Sequence, residues 1–189
     1  MIFHLFRRTP REDSIAALYG MIVAQARAPA FYRSYGVPDT VNGRFEMVVL
    51  HAILLLCRLN AEPELGRRTG QAVFDHFCQD MDASLREMGV GDLGVPREMR
   101  RMGEAFYGRQ AAYEAALAAP DVGPLVAALA RNVFGSAAGE GAERLAAYTR
   151  EALRHLVTQD GAALGRGELV FPDPELMLAR DAIGTEGAR

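Results

Sequence analysis

Lysine is absent. All 21 basic residues are arginine, a bias that points to a GC-rich genome and a bacterial source more than to any one ligand. Cysteine is nearly absent too. Cys57 and Cys78 have no paired local spacing, and each falls in a helical apolar pattern where a reduced thiol packs as a small hydrophobe. That excludes a disulfide framework and fits a reducing cytoplasm. Long apolar runs are missing as well. The strongest, MVVLHAILLLC from Met47 to Cys57, falls short of the roughly 20 residues a spanning helix needs and carries His51 in its middle. It reads as a buried core helix. No export signal opens the chain, because in MIFHLFRRTP the charges of Arg7 and Arg8 follow the few apolar residues. A secretory signal puts its charge before an apolar run of roughly 7 to 15 residues. Nor is there a surplus of positive charge: the net charge of -3 gives no electrostatic reason for DNA or RNA to be the main partner.

What is present is globular. Half of the 189 residues are hydrophobic and 24% are charged, enough for one buried core without covalent staples. Thr9, Pro10 and Glu12 form a capping box with proline at the first helical position, and Ile15, Leu18, Tyr19, Ile22, Val23 and Ala26 follow at helical spacing. Between Arg27 and Asn42, Pro29, Gly36 and Pro38 interrupt the period. The aromatics Phe31, Tyr32 and Tyr35 make this loop too apolar for a simple linker. A second helix runs from about Gly43 to Leu59 and is apolar around most of its circumference, as a central helix is. Its polar exceptions Arg44, His51 and Arg58 are seven apart and make one slowly drifting stripe, read first as a solvated stripe and alternatively as a ligand-binding one.

A third helix is expected over Thr69 to Met88, stopped by GVGDLGVP, and a fourth from Pro96. The fourth carries a core stripe of Met99, Met102, Phe106, Tyr113 and Leu117. Arg97, Arg100, Arg101 and Glu104 give it a basic outer face. Pro120 closes it, two further helices follow with Gly135 stopping the first, and GTEGAR frays. The expected fold is all-α, an irregular helical bundle of about six helices. It comprises an N-terminal segment 1–13, a helical domain 14–160, and a C-terminal extension 161–189 with a short helix.

The stretch DHFCQDMDASLRE raises the question of a chemical site. At about 100 degrees per residue, Phe74, Phe77, Cys78, Met81, Leu85 and Met88 share one apolar arc. Asp75, Gln79, Asp82 and Arg86 lie on one flank, and His76, Asp80 and Glu87 on the opposite flank. Cys78 and His76 therefore do not share a metal, and the pair His76 and Asp80 falls short of a zinc ligand set. Both cysteines sit among large apolar residues that keep a thiol protonated. There is no G-x-S-x-G elbow, no phosphate-binding G-x-x-x-x-G-K-[ST], and no glycine-rich strand-to-helix turn. The residues point to no enzyme, no metal and no cofactor, and to a helical protein whose surface recognises another protein.

The string LYGMIVAQARAPAFYRSYGVPDTVNGRFEMVVLH, with FDHFCQDMDASLREMGVGDLGVPREMRRMGEAFYGRQAAY, resembles the ubiquinol-cytochrome c chaperone family. The resemblance is strongest from Ser14 to Tyr113. It implies an assembly chaperone for respiratory complex III that binds newly made cytochrome b and is absent from the finished complex. Mitochondrial members also engage a small helical partner and the ribosome. The resemblance further implies work at the inner-membrane surface from the cytoplasmic side. Two client surfaces are expected. One is Asp75, Asp80, Asp82 and Glu87 beside Arg86; the other is Phe31, Tyr32 and Tyr35 with Arg33, against which stands packing of those rings over the bundle. Tyr107 and Arg109 in AFYGRQ match the family's pattern, while Phe106 beside them belongs to the core stripe. Asp39, Thr40 and Asn42 compete as helix caps. In MIFHLFRR, Ile2, Phe3, Leu5 and Phe6 suit a membrane interface, with Arg7 and Arg8 for anionic headgroups. Two rivals remain: a small-molecule (haem or quinone-like) binding protein or enzyme using the His51 and Arg58 stripe, and RNA or ribosome contact through Arg97, Arg100, Arg101 and Arg109.

Overall fold

The computed structural model describes residues 9–179, all of whose regular elements are helical. Helix α1 (Pro10–Ala26) starts at the expected capping box: Thr9 Oγ1 accepts from the Glu12 amide at 3.3 Å, and the Glu12 carboxylate accepts from the Thr9 amide at 2.6 Å. The aromatic loop holds a helix of its own, α2 (Pro29–Arg33), begun by a proline whose fixed φ suits a first turn. Helix α3 (Val41–Leu59) is capped by Thr40, whose hydroxyl accepts from the Gly43 amide at 3.1 Å, while Asp39 instead pairs with Arg44 at 2.7 Å. Of the three competing caps, Thr40 does the work.

Helix α4 (Pro63–Glu87) begins six residues earlier than Thr69. Its first turns are polar apart from Leu65, so they carry no apolar period to read. Proline at N1 starts them, and Gly66 lets them close against α3, because a Cβ there would lie 2.3 Å from the Leu59 carbonyl oxygen. Helices α5 (Val95–Ala118), α6 (Gly123–Leu129), α7 (Glu140–Val157) and α8 (Gly161–Gly165) complete the bundle. A π-helical turn, Ala130–Phe134, extends α6 and ends at Gly135, whose φ of 62° only glycine adopts freely. A last helical turn covers 174–179.

Helix α3 is the hub. Thirteen of its 19 residues are buried, and α1, α4, α5 and α7 pack around it. The chain after α8 returns over the bundle as a strap, turning at Gly167 where a Cβ would press on the Ser14 backbone of α1. Gln159 holds the strap by two bonds to the Val170 backbone, of 2.6 and 3.1 Å.

Two expectations need correction. The α3 stripe is not solvated: His51 and Arg58 are buried and only Arg44 is exposed, because α7 and the strap cover the C-terminal two thirds of this face. The loop aromatics Phe31 and Tyr35 are interior residues, packed on the hub, and Tyr32 is half-buried with its hydroxyl donating to the Ala26 carbonyl at 2.7 Å. Arg33 alone of that group is exposed.

Candidate functional site

The two flanks of α4 have different fates. On one, the Tyr19 hydroxyl of α1 donates to Asp80 at 2.7 Å and the His76 ring packs on Tyr19 at 5.0 Å. Burial, helped by the Asp80 carboxylate, pushes the Tyr19 phenol well above its usual pKa, so it stays a donor. His76 and Asp80 on this flank belong to a seam between helices, while Ala83 and Glu87 nearer the helix end are exposed. The other flank looks outward. Asp75 and Gln79 are exposed, Asp82 is half-buried, and Arg86 bridges Asp82 at 2.7 Å and Asp92 at 2.5 Å. Next to it on α5, Tyr107 is 58% exposed and its ring lies 5.3 Å from that of Phe74. The structure thus keeps Asp75, Asp82 and Arg86 on the outward flank of α4, with Asp75 also lining a groove against Arg11 and Ile15 of α1, leaves Tyr107 exposed on α5, and sends Asp80 into the seam.

His51 is wholly interior. Its Nδ1 lies 2.8 Å from the Met47 carbonyl oxygen, which only accepts, so Nδ1 carries the proton. Nε2 then accepts from the Tyr148 hydroxyl at 2.9 Å, and Gln25 Nε2 donates in turn to Tyr148 and to the Pro172 carbonyl of the strap, both at 2.9 Å. Phe31, Tyr148 and Phe171 surround the imidazole, and the Tyr35 hydroxyl donates to the Pro174 carbonyl at 3.0 Å. Burial pulls the His51 pKa down to about 4, against a smaller opposite pull from Met47. A neutral histidine with both nitrogens occupied by protein groups holds a strap and has no valence left for a ligand.

Arg58 is similarly consumed. Its guanidinium donates to the Leu156 and Gln159 carbonyls at 3.1 and 2.7 Å, closing the C-terminal end of α7, and pairs with Glu62 at 2.6 Å. The thiols are inert: burial pushes Cys57 up to about 12 and raises Cys78 as well. No group of three His, Cys, Asp or Glu among the described residues is placed to hold a metal ion.

One buried charge escaped the sequence reading. Glu46, in the second turn of α3, is 1% exposed, and Arg109 of α5 grips it with Nε and Nη2 at 3.0 and 2.7 Å. The pair raises the Arg109 pKa through that hydrogen bond. It forms the floor of a groove of about 470 Å³ between α3 and α5, walled by Val41, Phe45, Met102 and Ala105, with Arg101 at its mouth. That Glu46 is the one acid on a mostly apolar helix was the signal available. Ile2, Phe3, Leu5, Phe6, Arg7 and Arg8 lie outside the described residues.

Over the described residues, fold and surface together define an all-helical protein whose buried Glu46, His51 and Arg58 are spent on joining helices to one another. No helix among the described residues is long and apolar enough to cross a membrane. The chain belongs to the ubiquinol-cytochrome C chaperone family, whose model matches residues 33–171. It is 40% identical to the Cbp3 homologue from Brucella abortus, whose crystal structure superposes with a TM-score of 0.81 over 93% of this chain and 98% of that one. It is 29% identical over 162 residues to ubiquinol-cytochrome-c reductase complex assembly factor 1 of Xenopus laevis, covering 83% of this chain and 80% of the relative. It is 28% identical over 154 residues to the human assembly factor 1, covering 79% of this chain and 51% of the relative. The chain thus spans about half the length of that human protein.

Proposed function

We propose that the protein is an assembly chaperone for the ubiquinol-cytochrome c reductase complex that holds newly made cytochrome b, and that it does so as a peripheral protein at the membrane surface. The observation that carries this reading is the family match over 33–171, a span that contains the hub helix, the outward flank of α4 and the whole of α5. Such a protein needs no reacting group. It needs a rigid scaffold with a polar outer face able to hold a loop or terminus of a membrane client.

Asp75, Asp82 and Arg86 on the outward flank of α4 and Tyr107 on α5 are the proposed client contacts, since they reach the surface and none is needed to close the core. Tyr107 supplies a rigid aromatic anchor and the carboxylates set the charge preference. Asp80, Phe31 and Tyr35 are withdrawn from that role by their burial or their hydrogen bonds.

The test is a pulse-labelling experiment in a deletion strain complemented with affinity-tagged protein. Labelled cytochrome b is expected to copurify early after the pulse and to dissociate as the reductase forms. Normal reductase levels in the uncomplemented deletion strain would remove the proposal.

A further inference from the structure

We propose that the cleft beneath the strap, walled by α1, α2, α3 and α7, is a binding site for an extended partner segment of the form aromatic-Pro-x-Pro, and that residues 170–174 of the strap fill it in cis. The inference stands on the chemistry of the cleft and goes beyond the assembly reading, because none of the surface residues proposed for the client lines it.

Three observations fix the occupant. The cleft grips backbone, not side chains: Gln25 of α1 donates to the Pro172 carbonyl at 2.9 Å, and Tyr35, just after α2, donates to the Pro174 carbonyl at 3.0 Å. Carbonyls two residues apart on one wall are spaced as in an extended chain, and residues 168–173 carry no regular structure. A proline at each of these positions offers its carbonyl and brings no amide N–H to be stranded against the walls. The walls themselves are aromatic. The Phe171 ring meets the His51 imidazole edge-on at 5.0 Å, and Phe31 and Tyr148 frame the imidazole from other sides. Aromatic walls with donors aimed at the backbone are how proline-rich segments are held. The strap, finally, is a shallow cover. Val170 is 60% exposed and Asp173 and Glu175 face solvent, so the position between the prolines is not selected. Lifting the strap takes one acceptor from Gln25 and one from Tyr35 but leaves Tyr148 bonded to His51, so the opened cleft keeps its lining and lacks only carbonyls. A partner segment restores them. Because the strap is tethered, it competes at high effective concentration, and a partner segment binds only the fraction of molecules whose strap is open.

The probe is a fluorescein-labelled peptide of sequence LVFPDPEL, and its binding to the whole chain is read by anisotropy. Phe171→Ala, which loosens the strap and leaves the cleft intact, is expected to bind the peptide about tenfold more tightly than the native chain does. In that background, replacing both prolines of the peptide by alanine should weaken binding about fivefold, and so should adding Tyr35→Phe to the protein. Tyr107→Ala, on the surface proposed for the client, should leave it unchanged. Helical circular dichroism and the unfolding midpoint verify that each variant is folded, and Phe171→Leu serves as a milder second variant. Equal binding by the native chain and both strap variants, or a Tyr35→Phe effect no larger than that of Tyr107→Ala, would overturn the site. The native chain is expected to sediment as a monomer. A dimer that the peptide dissociates would show straps exchanged between copies and would overturn a partner protein as the occupant.

Discussion

Acid should weaken this fold through His51 before most carboxylates titrate. The native state holds the imidazole neutral with a pKa of about 4, against an ordinary 6.5 in the unfolded chain. Between those values the unfolded chain binds a proton that the native state refuses. Stability therefore falls as pH falls through this window, by about 1.4 kcal/mol per pH unit. The loss is about 2 kcal/mol at pH 5 and about 3 kcal/mol at pH 4, and above pH 7 the residue contributes no pH dependence. The cause is local. A proton on Nε2 would turn the acceptor of the Tyr148 hydrogen bond into a donor, while Gln25 already donates to the same hydroxyl. Urea unfolding at pH 7.5, 6 and 5 of the native chain and of His51→Gln measures it, since glutamine offers a donor and an acceptor without titrating. The stability difference between the two proteins should shrink by about 2 kcal/mol between pH 7.5 and pH 5. Carboxylates titrate alike in both and cancel. Parallel pH curves would refute the assignment of a neutral, desolvated His51.

Other perturbations test other seams. Phe171→Ala, which uncovers the imidazole from the strap side, should raise the His51 pKa toward its ordinary range, as read by proton NMR of the imidazole. Arg109→Gln leaves the Glu46 carboxylate buried without its partner and should cost about 3–5 kcal/mol by denaturant unfolding. Adding Glu46→Gln should recover part of that loss, and a pair of additive single effects would show that the two side chains are not coupled. Asp80→Ala strands the buried Tyr19 hydroxyl and should cost about 1–3 kcal/mol. Asp82→Ala removes only an exposed ion pair and should leave the unfolding midpoint nearly unchanged.

The helices were legible wherever an apolar period ran against a clear terminus. The Thr9 and Glu12 box, the Gly135 stop and the apolar α3 all appear where their residues imply. Reading failed where the determinant is a contact between distant segments. The first turns of α4 carry no apolar period and are placed by a proline and by close approach to Leu59. The seven-residue spacing of Arg44, His51 and Arg58 correctly put them on one face, but spacing along a helix does not say what covers that face. The cover is α7 and the strap, more than ninety residues on, which no local pattern announces. For α4, the angular separation of the two flanks was readable. Which flank is the seam depended on Tyr19, a residue of α1 read only as part of that helix's apolar stripe.

The polar exceptions on α3 therefore have a common logic. The three buried ones reach different places: Glu46 takes α5 through Arg109, His51 takes the middle of α7 and, through Tyr148 and Gln25, the strap, and Arg58 takes the C-terminal end of α7. Leucines alone would have given the same burial with less cost in desolvation, because a buried ion pair seldom stabilises more than the apolar residues that could replace it. What apolar contacts lack is direction. A hydrogen bond of 2.7 Å fixes the turn of α3 that faces Arg109, and so fixes the width of the groove above it. On this argument, replacing Glu46 and Arg109 together by leucine and methionine should leave a stable protein whose α3–α5 spacing is no longer held. Retained thermal stability with a broadened distance between spin labels at exposed Val41 and Arg101 is the expected result. An unchanged distance distribution would show that the ion pair plays no part in shaping the groove.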